Sequence, residues 1–272
     1  MGTEPRGAAR KFALALAGGA LLVATLAGCS SGGGSSPLFS STQASGSASA
    51  TGGGVASASA SATAAAPGSA STGIPAAAWI APSAIPLYAA YHWPAPSSAA
   101  KPAAKAPELS VVQDCQLTLS GADRSELGAF SAAQADLSPT TGASGGQDDW
   151  AAQETILATN DTSSGDIQGI YNLYTDLVAD LGKCSSTASG AKVSAAVDQG
   201  AEYAATITIP TSTGSTLTWH EYLAAPYGYL VELSVYVAPY SGDKPSAAWD
   251  GSSASAVLGA LQSGPCAVTK LC

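Results

Sequence analysis

The C-terminal part of this sequence predicts an α+β domain: an antiparallel β-sheet flanked by two helices, held by two disulfides and preceded by a disordered tether. Three observations carry the expectation. Apolar residues recur at helical spacing from Ile167 to Leu181, three β-rich runs follow between Glu202 and Val237, and four cysteines remain once one near the N-terminus is set aside.

The elements follow in chain order. Met1 to Lys11 is a basic leader, and Phe12 to Ala27 is an apolar run too short and too interrupted by glycine to make a comfortable membrane span. It closes on Leu26-Ala27-Gly28-Cys29, which resembles the bacterial lipobox. The resemblance implies a removable signal over residues 1–28 and a lipid on the sulfur of Cys29, palmitate being one acyl group expected there. Two or more acyl chains anchor a protein stably where one does not, so the expected location is the extracytoplasmic face of the cell membrane.

Residues 29–78 are nearly all Ser, Ala, Gly and Thr, with Pro37, Pro67 and Pro75. Such a segment cannot bury enough apolar surface to offset the entropy of ordering, so a flexible tether is expected, with an r.m.s. reach of roughly 35–40 Å. Charged residues are only 11% of the chain, and none lies between Phe12 and Ala100. The folded domain is therefore expected over residues 79–272. A formal net charge of −9 excludes a basic nucleic-acid reader.

Within the domain, Leu127 to Ala135 reads as a strand, followed by a glycine-rich loop at Gly142 to Gly146. Trp150 to Thr159 reads as a second strand, leading to a helix N-cap at Ser163 or Ser164. Ile167, Ile170, Tyr171, Tyr174, Leu177, Val178 and Leu181 then define the best helix in the chain, with Asp166, Asp176 and Asp180 between them. After Cys184 and a Ser/Gly loop, Glu202 to Ile209, Thr216 to Ala224 and Tyr229 to Val237 read as strands joined by hairpin turns. A last helix is expected from Pro245 to about Gln262, proline standing in its first turn. The sheet is expected to be covered on one side.

Outside the cell an even number of cysteines reads as a disulfide framework. Cys115, Cys184, Cys266 and Cys272 allow three pairings. Cys115–Cys184 with Cys266–Cys272 is preferred, because Cys184 ends the strong helix and the terminal Cys272 can fold back six positions. No C-x-x-C occurs and the two histidines lie far off in sequence, so no metal and no cofactor is expected.

Ala84-Ile85-Pro86-Leu87 with Tyr91-His92-Trp93, Trp150 before its strand, the helix closing on Cys184, and the late strand followed by a helix and Cys266 resemble the extracytoplasmic sensor domain of PknH-type actinobacterial receptor kinases, also found on free-standing lipoproteins. The resemblance implies an antiparallel sheet with flanking helices, two disulfides and a cleft. It supplies no ligand, and this chain has neither the kinase nor its membrane span.

Chemistry is sparsely signalled. Gly142-Ala143-Ser144-Gly145-Gly146 matches the G-x-S-x-G of serine hydrolases, but the flanks are not the strand and helix that the nucleophile elbow needs. His220 sits between Trp219 and Glu221 in a strand, so these neighbours point to the opposite face and form no local acid–base pair with it. Asp148, Asp149, Asp161 and Asp166 lack the spacing of a calcium loop and are expected to solvate a turn.

The aromatic bias is stronger. Trp219, Tyr222, Tyr227, Tyr229, Tyr236, Tyr240 and Trp249 crowd the C-terminal third, and Tyr and Trp suit half-buried positions whose polar tip needs a partner. Trp219, Tyr222 and Tyr236 are the expected ligand-binding residues, with Tyr222 and Tyr236 sharing the less apolar face of adjacent strands, in a cleft between the sheet and the two helices. The expected function is a membrane-anchored sensor or ligand-binding lipoprotein that binds a small molecule, glycan or envelope protein without turnover. The alternatives are a serine hydrolase using Ser144 with His220, and a cell-wall adhesion or scaffolding module.

Overall fold

A computed structural model of the chain describes residues 73–103, 106–139, 149–160, 163–239 and 244–272. The expected signal, Cys29, most of the expected tether, Ser144 within Gly142 to Gly146, Asp148, Asp161 and Tyr240 lie outside them. No described helix is long and apolar enough to cross a membrane.

The chain enters through an arm of short turns. Two 3-10 turns, Ala76–Ala78 and Pro82–Ala84, precede α1 (Tyr88–Tyr91), α2 (Pro96–Ala99) and the two-residue strand β1 (Lys101–Pro102). α3 (Ser110–Asp114) and α4 (Gly121–Ala129) lead to β2 (Ser131–Leu137) and β3 (Ala151–Ala158). α5 (Ser164–Leu181) and the single turn α6 (Cys184–Thr187) precede four strands: β4 (Lys192–Gln199), β5 (Glu202–Pro210), β6 (Thr216–Ala224) and β7 (Tyr229–Val237). α7 (Ala254–Thr269) closes the chain.

The strands form one seven-stranded sheet in the order β1-β2-β3-β7-β6-β5-β4, antiparallel throughout. β7 sits at its centre against both β3 and β6, and eight of its nine residues are buried. That requires cover on both faces, so the expectation of one covered side is corrected. One face carries Ile156, Leu233 and Val235 and packs against the N-terminal arm and Val257, Leu258 and Leu261 of α7. The other carries Leu157, Leu223 and Leu230 and packs against Leu173, Leu177 and Leu181 of α5 together with Leu109, Val111 and Leu127. The two long helices thus lie on opposite sides of the sheet, and no cleft is bounded by both.

The α+β class, the antiparallel sheet and both disulfides are as the sequence predicts. Cys115–Cys184 ties the C-cap of α3 to the first residue of α6 with Cα atoms 4.8 Å apart, and Cys266–Cys272 pins the C-terminus to α7 at 5.3 Å. Such bridges mark a domain that matures in an oxidising compartment. Ser163 caps α5, its Oγ accepting from the Asp166 N–H at 3.2 Å.

Several elements differ from expectation. The folded body begins upstream of residue 79: Ile74 and Ala78 are buried in the core, and Gly264 of α7 lies against the Ala78 carbonyl. The expected strand from Leu127 splits into α4 and β2, because Ser120 and Asp123 form a reciprocal capping box that starts a helix at Gly121. β4 occupies a stretch read as part of a loop. It is a mostly exposed edge strand with a register shift between Ala195 and Val197, so it has little apolar alternation to read.

The last helix starts at Ala254 rather than Pro245. Upstream of it the chain is held out of helix by tertiary bonds. Asp149 accepts from Ser246 N and Oγ at 3.1 and 2.6 Å and from the Tyr91 hydroxyl, Trp150 Nε1 donates to Ala247 O at 2.9 Å, and Leu87 N donates to Asp250 Oδ2 at 2.6 Å. Leu87 is buried at φ 66°, a left-handed conformation that a bulky residue keeps only when its surroundings hold it there.

Candidate functional site

The segment before α7 lies across the β4–β6 end of the sheet and, with the first residue of α7, walls a cleft of about 310 Å³. Its floor is supplied by β5 and β6. Alternation puts Ala204 and Thr206 of β5 and His220 and Tyr222 of β6 on the same face, in the cross-strand pairs Ala204–Tyr222 and Thr206–His220. Trp249 and Ser252 complete the lining.

Trp249 lies flat on His220, ring centroids 3.4 Å apart and planes within 6°, and Trp150 leans on both at 5.2 and 5.7 Å. His220 Nδ1 is 3.2 Å from the Thr206 hydroxyl. Burial pushes the imidazole pKa down to about 4, and the attraction of Asp250 only partly offsets it. His220 is therefore neutral in ordinary surroundings. Burial likewise raises the Tyr222 phenol, with the Asp250 and Glu221 charges adding to it. Among the described residues, neither the Tyr222 hydroxyl nor His220 Nε2 has a hydrogen-bond partner, although both side chains line the cleft. The Asp250 carboxylate is occupied by Leu87 N, Ser252 N and Ser252 Oγ.

The three expected ligand-binding residues do not share a site. Tyr222 pairs with Leu233 and faces α7, whereas Trp219 pairs with Tyr236 and both face α5, their rings 5.6 Å apart. Tyr222 and Tyr236 are an even number apart, but the turn between β6 and β7 sets a register that puts them on opposite faces. The expectation of a common floor is corrected accordingly. Trp249, counted only as one of the aromatic crowd in the sequence, replaces Trp219 and Tyr236 in the cleft. Nothing local announces this, because the stack joins residues 29 positions apart.

The α5 face holds a second polar group that the sequence did not single out. Glu221 and Glu232 on adjacent strands have no exposed surface, nor have Ser234 and Thr155 beside them. Ser234 Oγ donates to Glu221 Oε2 at 2.5 Å, and Glu232 accepts from Ser110 N at 3.3 Å and Val111 N at 3.4 Å. Burial raises both carboxyls, Glu232 to about 7, and the Glu232 charge raises Glu221 further. Asp114 on α3 is also pushed up to about 7 by burial and by Glu232. On the opposite face Glu154 is fully buried, accepts from Ile80 N at 3.1 Å and is raised by burial to about 8. Glu154, Glu221 and Glu232 are sealed from solvent, whereas Asp114 is only partly buried.

Larger hollows lie elsewhere on the surface, one of about 510 Å³ lined by Val178, Lys192, Asp198 and Tyr203; two others are mostly apolar and less suited to recognition. One of about 440 Å³ is walled by Leu109, Val112, Leu117, Leu119 and Leu127, and its polar groups bond locally, Arg124 to the Leu119 carbonyl and Gln113 to Glu108. The other, about 450 Å³, is framed by Tyr171 and Tyr227 at the start of α5. Both offer apolar area without several polar groups converging on one point, which is what fixes a ligand's orientation.

The hydrolase pair is half visible. Ser144 lies outside the described residues, and the His220 ring nitrogen that a triad would turn to a carboxylate faces a threonine hydroxyl instead. Among the described residues no His, Cys, Asp and Glu group has the arrangement of a metal site.

Comparison with protein-family models, with curated proteins and with solved structures finds no match for this chain.

Proposed function

We propose that this chain is a lipid-anchored extracytoplasmic binding protein, a sensor or ligand-capture module, whose site is the His220–Tyr222–Trp249 cleft and whose action is binding rather than turnover. The observation that carries the reading is the convergence, in one open cleft, of a flat aromatic stack with two polar groups that have no hydrogen-bond partner among the described residues. Polar groups that face an open cleft and are not bonded by neighbouring side chains are available to a ligand. The two disulfides support an oxidising compartment, and the lipobox-like Leu26 to Cys29 with the long Ser/Ala/Gly segment behind it supports attachment to the outer membrane face through Cys29. The partners on this reading are the membrane, through the anchor, and a small envelope molecule or glycan in the cleft.

Native mass spectrometry of the mature protein from its own host tests the proposal. A retained mass that disappears in Tyr222→Ala, with a diacylglyceryl mass on the Cys29 peptide, is the expected result. Stoichiometric labelling of Ser144 by a fluorophosphonate would overturn it in favour of a hydrolase.

A further inference from the structure

We infer that the cleft recognises a neutral carbohydrate, one or two sugar rings in size, stacked on Trp249 and hydrogen-bonded by the Tyr222 hydroxyl and His220 Nε2. The inference rests on the binding reading above and names its ligand class.

Four features of the cleft select this chemistry. Size comes first: about 310 Å³ is at the bottom of the range of small-ligand sites, roughly 300–1,000 Å³. Charge is second. Among the described residues no Lys or Arg lines the cleft, and Asp250, whose charge reaches both His220 and Tyr222, repels anions while its own oxygens are taken up by Leu87 and Ser252. An anionic ligand has nothing to pair with here.

Third is the one-sided platform. His220 covers one face of Trp249, so a planar heteroaromatic ligand cannot be sandwiched on that ring. A pyranose needs only one flat face, against which its axial C–H bonds rest. Fourth is the polar rim. Tyr222 Oη and Thr206 Oγ1 each donate and accept, and Ser252 Oγ keeps acceptor capacity while it donates to Asp250. Neutral His220 brings its free Nε2. Sugar hydroxyls are both donor and acceptor, so an uncharged rim of mixed capacity is their natural complement. A quaternary ammonium is the rival, since cations favour aromatic faces. It calls for a free carboxylate beside the rings, whereas the carboxylate here, Asp250, is already occupied.

The test uses the full mature chain, titrated with maltose, cellobiose and N,N′-diacetylchitobiose, and in parallel with tetramethylammonium and indole. The readouts are saturation-transfer NMR and tryptophan fluorescence. The expected result is saturable transfer to sugar C–H protons with a Kd of about 1 mM or tighter, abolished in Trp249→Ala and about tenfold weaker in Tyr222→Phe, which keeps the ring and removes only the hydroxyl. Binding of indole or tetramethylammonium without any sugar overturns the ligand class and leaves the binding reading standing. An absence of binding by every probe, with a retained ligand of another class in native mass spectrometry, overturns the inference alone. Absence of both removes the inference and the binding reading together.

Discussion

Glu221 and Glu232 lie on neighbouring strands of the α5 face with no exposed surface, and neither forms an ion pair among the described residues. Burying two carboxyls side by side without a cation is tolerable only while they keep protons.

That arrangement predicts a domain stabilised by mild acid. The folded-state values of Glu232 and Asp114, about 7, and Glu154, about 8, lie above their ordinary values of 4.5, 3.8 and 4.5. The native state therefore binds more protons than the unfolded chain between these limits. Their stabilisation is complete below about pH 4 and is lost as pH rises through 7 to 8. Urea midpoints measured from pH 5 to pH 9 are expected to fall, and Glu232→Gln is expected to flatten the slope. A midpoint that rises over this range contradicts the assignment.

His220 acts in the opposite direction. Its folded value near 4 lies below the ordinary 6.5, so its contribution is present above about pH 6.5 and is lost as pH falls through 4. NMR titration of the His220 ring is expected to show a mostly neutral imidazole at pH 5, with a midpoint near 4. Trp249→Ala, which uncovers the ring, is expected to move the midpoint upward.

Gly264 is the contact on which α7 meets the N-terminal arm. A Cβ built there would lie 2.5 Å from the Ala78 carbonyl oxygen, and backbone cannot rotate away as a side chain does. Gly264→Ala is expected to destabilise the domain by about 1–3 kcal/mol despite alanine's better helix propensity. Equilibrium denaturation beside Gly259→Ala, whose added Cβ meets nothing within 4 Å, is the control.

The two disulfides are expected to contribute unequally. Cys115–Cys184 closes a separation of 69 residues and Cys266–Cys272 one of 6, corresponding to about 4 and about 2 kcal/mol on the loop-entropy scale. Paired Cys→Ala variants compared by thermal denaturation measure the ratio. A larger loss from the C-terminal pair would contradict it.

Trp219 and Tyr236, packed together on the α5 face, are expected to be silent in binding. Tyr236→Phe should leave the cleft's affinity within about twofold, while Tyr222→Phe weakens it. Equal effects of the two would mean that the ligand does not enter through the α7 face.

What the sequence by itself determined is whatever local pattern encodes. The period of Ile167 to Leu181 specified α5, Ser163 its cap, and the β-rich runs from Glu202 to Val237 three of the seven strands. Cysteine number and spacing made the observed pairing the preferred one. Tertiary structure alone decided which face each aromatic occupies, because a strand's alternation groups its own residues but only hairpin register relates Tyr222 to Tyr236. It also decided that residues 244–253 are not helical, since hydrogen bonds to Tyr91, Asp149 and Leu87 connect positions far apart in the chain. The cleft exists because that segment lays Trp249 on His220, a contact between distant residues that no local periodicity records.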